Sequence, residues 1–222
     1  MSDTLRRLAA EALGTALLSA TVIGSGIMAE SLSADIGIQL LANSLATGAI
    51  LVVLISLLAP VSGAHFNPLV SAAMAASGEL SLVETAAFVA AQLLAAFAGA
   101  VLAHAMFGLP LIEFSTHVRT GWSAWLSEGV AAFGLLLVIL GARGGPDSIA
   151  ILVALYIVAA YWFTASTSFA NPALTIARSL TDTFAGIRPI DAPAFIVAQA
   201  AGAALAFAIA PLLFGRKGTA PR

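Results

Sequence analysis

Two short apolar segments open on the same dipeptide, and neither is long enough to cross a bilayer. Asn67-Pro68 lies in SGAHFNPL at 62–69, and Asn171-Pro172 lies in SFANPA at 168–173. Proline fixes φ at a value suited to the first helical turn and has no N–H to leave unpaired, while asparagine is among the best N-caps. Each pair therefore marks a helix start. The segments that follow, about 67–77 and 171–180, fall short of the roughly 20 apolar residues of a membrane span. A helix start at membrane depth exposes N–H groups that lipid cannot satisfy; only protein or a water-filled cavity can. One such start in each half of the chain predicts two re-entrant half-helices meeting at a pore.

The surrounding sequence is that of a membrane protein. Hydrophobic residues make up 60% of the 222 and charged residues 9%, against about 25% charge in a soluble domain. Six apolar stretches are long enough to span, at about 8–29, 37–59, 82–108, 122–141, 149–166 and 190–214. Arg6 and Arg7 ahead of the first stretch raise a signal peptide as the competing reading. Glu11 interrupts that stretch and no small-residue cleavage site is evident, so the first segment is expected to stay as a membrane helix. Glycine and alanine recur through the spans, at Gly14, Gly24, Gly26, Gly99 and Gly202 among others, as expected where helix backbones approach closely in lipid.

Several functions are excluded or given no support. There is no cysteine, so disulfides, thiolate metal sites and cysteine nucleophiles are ruled out. His65, His104 and His117 show no metal-ligand spacing, and no cofactor is expected. A net charge of −2 gives no reason to expect nucleic acid as a partner. No histidine, serine or carboxylate cluster forms a nucleophile and base, so no enzyme activity is expected.

An even number of spans puts both termini on one side. With the termini inside, Arg6, Arg7, Arg143, Arg216, Lys217 and Arg222 are cytoplasmic, and Arg119, Arg178 and Arg188 are external. That asymmetry supports cytoplasmic termini. The halves also repeat, about 8–108 and 122–214 within one channel domain. FVAAQ at 88–92 echoes FIVAQ at 195–199, and Glu11 near the start of span one has a partner in Glu128 near the start of span four. Three spans per repeat is an odd number, so the second half enters the membrane inverted. Inverted repeats place their site near the midplane, where the two half-helix N-termini would meet.

Glu11 and Glu128, SGAHFNP, Gln92 and Gln199, and NPA at 171–173 together resemble the major intrinsic protein family, the aquaporins and aquaglyceroporins. The resemblance covers nearly the whole chain. It implies an all-α membrane fold of six transmembrane helices and two re-entrant half-helices, in a homotetramer whose every subunit holds its own pore. Carried over by position, Asn67 and Asn171 are the central side-chain donors. The carbonyls of Gly63, Ala64 and His65, and of Ser168, Phe169 and Ala170, form polar tracks. Glu11 and Glu128 brace the re-entrant loops, with snorkelling near helix ends as the alternative. His65 is read as packing and bracing its loop, with solute contact as its alternative.

Three departures from the family pattern bear on selectivity. The first box is Asn67-Pro68-Leu69 instead of NPA. Leu174 stands where the family usually has the arginine of its outer constriction. Counting back with the family's spacing puts Thr47, Ala159 and Ser168 at the remaining constriction positions, without the aromatic and histidine of water-selective members. The constriction is therefore expected to be wide and mildly polar. Arg178, four residues after Leu174, either reaches back over the pore mouth or pairs with Asp182.

These residues lead to a passive channel for water and small uncharged solutes, such as glycerol-like polyols and urea. ANPALTIARS also resembles bacterial members associated with arsenic resistance, which extends the candidates to arsenite and other neutral metalloid hydroxides and places the chain in the inner (plasma) membrane. The alternatives are a water-selective channel narrowed by Tyr161 or Trp162, a coupled secondary transporter, for which no midplane relay of ionisable groups is apparent, and a closed structural protein, supported only by Leu69 and Leu174.

Overall fold

Short polar residues set the helix starts. Ser2, Asp35 and Ser81 each accept a backbone N–H three residues on, from Leu5, Ile38 and Glu84. At Ser81 the bond is reciprocal, because Glu84 reaches back to the Ser81 N–H in a capping box. The computed structural model describes residues 2–142 and 144–215, which form eight α-helices. In chain order these are α1 (Asp3–Leu32), α2 (Ile36–Ser62), α3 (Pro68–Ala76), α4 (Leu82–Phe107), α5 (Trp122–Gly141), α6 (Pro146–Phe163), α7 (Pro172–Arg178) and α8 (Ala192–Phe214).

Six of them, α1, α2, α4, α5, α6 and α8, are long and apolar enough to cross a membrane. The short helices α3 and α7 begin directly behind Asn67 and Asn171, each with proline in its first turn. Helix ends depart from the apolar stretches for local reasons. The Ser2 cap and an Arg6–Asp3 ion pair of 2.9 Å carry α1 beyond its apolar part. α6 starts earlier than the stretch at 149–166, because Pro146 suits the first turn. α7 stops at Arg178, and the N–H groups of Ser179 and Leu180 bond three residues back to Ile176 and Ala177.

The packing repeats across the chain. α1 packs on α4 and on α2, as α5 packs on α8 and on α6. α3 touches α4 and α8, as α7 touches α8 and α4. α2 meets α6 and α3 meets α7, so the two halves join through equivalent elements. Three crossing helices per half reverse the direction of the second, and the architecture is six transmembrane helices plus two re-entrant half-helices in an inverted repeat.

At one end of the bundle, the chain after α7 is fastened to the chain after α4. Glu113 and Ser115 donate backbone N–H groups to Leu180 and Ser179 at 3.0 and 3.1 Å, and Arg188 donates to His117 at 2.9 Å. Buried His104 joins the Pro110 carbonyl to the Thr181 hydroxyl. Of the residues on which termini orientation rests, Arg143, Arg216, Lys217 and Arg222 lie outside the described residues.

Candidate functional site

The two loops before Asn67 and Asn171 are held by carboxylates from helices. Glu11 on α1 is fully buried and accepts four hydrogen bonds: from Ser62 Oγ at 2.6 Å, the His65 N–H at 2.9 Å, and the Phe66 N–H and Gln92 Nε2 at 2.8 Å. Glu128 on α5 repeats this, accepting the N–H groups of Phe169 and Ala170 at 2.9 Å and Gln199 Nε2 at 2.6 Å. Each glutamine also donates to a half-helix hydroxyl, Gln92 to Ser71 and Gln199 to Thr175, both at 2.9 Å. A carboxylate that receives only donors is satisfied in its charged form. These contacts are those of loop anchors, not of side chains snorkelling to an interface.

The same bonds aim the carbonyls. In a trans peptide, the C=O of one residue points opposite to the N–H of the next. Drawing the N–H groups of His65 and Phe66 onto Glu11 therefore turns the carbonyls of Ala64 and His65 away from it. Glu128 does the same to the carbonyls of Ser168 and Phe169. The Gly63 carbonyl follows, because the Ala64 N–H is held at 3.1 Å by Ser62 Oγ. This turning needs left-handed backbone at Ala64, Phe66, Thr167, Ser168 and Ala170, with φ of 51°, 49°, 63°, 51° and 50°. Such conformations are unfavourable for residues with a Cβ and persist where the surroundings over-determine them.

Asn67 and Asn171 meet from opposite halves. Asn67 caps α3 through Oδ1 and donates Nδ2 to the Ala170 carbonyl at 2.8 Å. Asn171 caps α7 and donates Nδ2 to the Phe66 carbonyl, also at 2.8 Å. Each amide nitrogen has two hydrogens, so one remains on each side for the lumen. The Ala170 carbonyl differs from the rest of its expected track in already receiving Asn67.

A cavity of about 230 Å³ runs past both asparagines. Its polar strip is formed by residues 63–67 and 168–171. The facing wall is a set of four-residue stripes, Thr47, Leu51 and Ile55 on α2 and Ile149, Val153, Ile157 and Tyr161 on α6, with Leu18 and Val22 of α1 and Leu135 and Ile139 of α5. Residues four apart share a helix face, so one wall is apolar along most of its length. His65 borders the cavity and is also braced, with Nδ1 3.1 Å from Ser71 Oγ and its ring 5.5 Å from that of Phe88.

The mouth differs from the expectation at one position. Ala159 is exposed on the outer face of α6 and does not border the cavity. It lies two residues from both Ile157 and Tyr161, about 200° around the helix at 100° per residue. Tyr161 takes the place expected of it, buried, with its hydroxyl 3.2 Å from Thr47 Oγ1. Trp162 points outward, its Nε1 donating to Ser44 Oγ at 3.2 Å. Thr47, Ser168 and Leu174 all border the cavity.

Arg178 borders it as well and does not pair with Asp182. Its Nε donates to the Ala185 carbonyl, and its guanidinium carbon sits 3.2 Å from the centre of the Phe169 ring. Asp182 is engaged elsewhere, accepting from the Thr116 N–H at 2.8 Å and the Thr116 hydroxyl at 3.0 Å. Arg119, to which the sequence assigned no role at the site, lies 5.2 Å from the same phenyl ring, and its side chain donates to the carbonyls of Gly186, Phe184 and Ser166. Among the described residues no cluster of three histidine, aspartate or glutamate side chains is placed to hold a metal ion.

The geometry has counterparts of known kind. An aquaglyceroporin of Rhizobium meliloti (strain 1021), AqpS, is 59% identical over 208 residues, covering 93% of this chain and 89% of the relative. Aquaporin Z of Photorhabdus laumondii is 30% identical, over 79% of this chain and 84% of its own. Among solved structures, the aquaglyceroporin of Plasmodium falciparum superposes with a TM-score of 0.69 at 22% identity, covering 93% of this chain and 95% of its own. The sequence model of the major intrinsic protein family matches residues 1–147. This chain belongs to the major intrinsic protein family, a family of channels and not of enzymes.

Proposed function

We propose that the chain is a passive channel for glycerol-like polyols and urea, together with water. The observation that carries this is the two-sided cavity, with carbonyls and asparagine amides along one wall and aliphatic side chains along the other. A polyol has hydroxyls on one side and carbon on the other, so it exchanges its water contacts for wall contacts on both faces. The name aquaglyceroporin borne by the relative at 59% identity supports the same solute class. Arsenite and other neutral metalloid hydroxides belong with it, because an uncharged trihydroxide resembles part of a polyol. Leu174, in place of a filter cation, leaves an aliphatic side chain at the mouth. By family expectation, the assembly is a homotetramer in the plasma membrane with both termini cytoplasmic.

One observation favours a second reading. Tyr161 narrows the mouth where a small residue was expected, which suits a water-selective channel. Stopped-flow light scattering on proteoliposomes decides between them. Glycerol and urea uptake well above that of protein-free vesicles is the expected result, and would justify testing arsenite next. Fast water flow with no solute uptake would leave the water-selective reading standing.

A further inference from the structure

Two residues before each capping asparagine, the halves differ. Phe169 precedes Asn171, and its ring is packed against Arg178 and Phe195. His65 precedes Asn67 and keeps a polar ring beside the cavity. Its Nδ1 lies 3.1 Å from Ser71 Oγ, while Nε2 has no partner among the described residues. Nε2 is not one of the buried polar atoms left unpaired, so it is open to the cavity that His65 borders. Gly63 keeps it open, because a Cβ at that position would stand 2.9 Å from Nε2.

A chain of hydrogen bonds decides which ring nitrogen carries the proton. The Glu11 carboxylate only accepts, so Gln92 presents its NH2 group, giving one hydrogen to Glu11 at 2.8 Å and the other to Ser71 Oγ at 2.9 Å. Ser71 is fully buried and has one hydrogen of its own left to give. Among the described residues, the one remaining side-chain partner of that hydroxyl is His65 Nδ1. A proton on Nδ1 would leave the Ser71 hydrogen buried without an acceptor, which is costly. Nδ1 is therefore the acceptor, and the neutral ring carries its hydrogen on Nε2. The ring is held in place as well, tilted against Phe88 at 5.5 Å, with the His65 backbone N–H on Glu11 at 2.9 Å.

We propose that His65 is a specificity-determining residue inside the lumen, its Nε2–H oriented by the Glu11–Gln92–Ser71 chain as a donor to the oxygen of a passing polyol or urea. On this side of Asn67 the backbone of the polar strip offers the carbonyls of residues 63–65, which accept. A hydroxyl that donates to one of them still has oxygen lone pairs to satisfy, and Nε2–H supplies a hydrogen for them. The free amide hydrogens of Asn67 and Asn171 continue the run of donors at the centre. The other half has no counterpart, since Phe169 stands at the equivalent position. The inference rests on the channel reading above and adds a donor and the chain that orients it.

The test compares wild type with His65→Phe, His65→Gln and Ser71→Ala. Stopped flow reads glycerol and water permeability in proteoliposomes, and NMR reads the ring nitrogens of histidine-labelled protein in detergent at neutral pH. The His65 signals, assigned by their loss in His65→Gln, are expected to show a protonated Nε2 and a bare Nδ1. Ser71→Ala is expected to admit the other tautomer. His65→Phe keeps a ring against Phe88 but has no donor, so glycerol uptake should fall roughly threefold, the worth of a neutral hydrogen bond. His65→Gln restores an N–H donor and should recover most of that loss, which a bracing role alone would not produce. A wild-type ring with its proton on Nδ1 overturns the inference, as does a His65→Phe protein that conducts water and takes up glycerol as fast as wild type. If His65→Phe does not fold, a Ser71→Ala protein with an unchanged tautomer and unchanged glycerol uptake overturns it. Wild-type vesicles no faster than protein-free ones would overturn the channel reading and the solute role with it, while the ring signals test the hydrogen-bond chain independently of transport.

Discussion

At the scale of single residues, Glu11 and Glu128 are equivalent but not equal. Both hold two consecutive loop N–H groups and a glutamine, and Glu11 alone also holds a hydroxyl, that of Ser62. Replacing Glu128 by glutamine puts an NH2 group against a loop N–H and leaves that donor unsatisfied. A loss on the order of 3 kcal/mol is expected, seen as a lower thermal midpoint in detergent and a fall in water flux. In Glu11→Gln the new NH2 can donate to Ser62 Oγ, so the loss should be about 1 kcal/mol smaller. Outside the membrane, the Thr116 N–H holds the Asp182 carboxyl below its ordinary value, with the Thr116 hydroxyl and His117 adding to the shift. A depressed folded-state value stabilises the fold above the unfolded carboxylate pKa of about 4, and that stabilisation disappears as pH falls through the folded value. Asp182→Asn should therefore be less stable than wild type at neutral pH, and the difference in thermal midpoint should vanish in acid. The residues readable from sequence were those whose role is polar and repeated: Asn67, Asn171, Glu11 and Glu128. The family's spacing puts Ala159 at the mouth, and Tyr161 enters only as a residue that could narrow a water-selective channel. Within α6 it is Tyr161, not Ala159, that shares a face with Ile149, Val153 and Ile157. The signal that reveals Tyr161 is the four-residue stripe from Ile149, which runs inside the helix and is blind to loop length.

At the scale of elements, two glycines set how closely the helix pairs approach. A Cβ on Gly99 of α4 would lie 2.3 Å from the Ala16 carbonyl oxygen of α1, and one on Gly202 of α8 would lie 2.0 Å from the Gly129 carbonyl oxygen of α5. Both obstacles are backbone, so no side chain can move aside; the helices must separate. Gly99→Ala and Gly202→Ala are each expected to cost about 1–3 kcal/mol, read as a lower thermal midpoint and a loss of monodispersity in detergent. The sequence showed that small residues would line helix contacts, but not which of them met backbone. That depends on the crossing geometry of α1 with α4 and α5 with α8. Helix ends were readable where a cap or proline fixed them, as at Asn67 and Asn171. They were less so at α1, where polar residues prolong the helix beyond its apolar part.

At the scale of the molecule, the outward face is apolar where a soluble protein would be charged: Leu57, Leu94, Val197 and Leu212 are all exposed. In lipid this face is solvated, and polar groups collect inside around the cavity. What matters for transport is whether those interior groups form a path for charge. Glu11 and Glu128 are each fixed by loop N–H groups, and His104 is bound to Pro110 and Thr181. The glutamates belong to separate halves, and Asn67 and Asn171, which carry no ionisable group, stand where the halves meet. A coupled transporter needs a group that changes charge as the solute site changes access, whereas the carboxylates beside the half-helix junction are taken up by loop N–H groups and glutamines. Solute flux should then depend on the solute gradient alone. In proteoliposomes, initial glycerol uptake should be the same with or without an imposed pH gradient, and with or without a potassium diffusion potential set by valinomycin. A rate that followed either gradient would show that charge moves with the solute. Equal rates would mean that no charge moves with the solute, as expected of a passive channel.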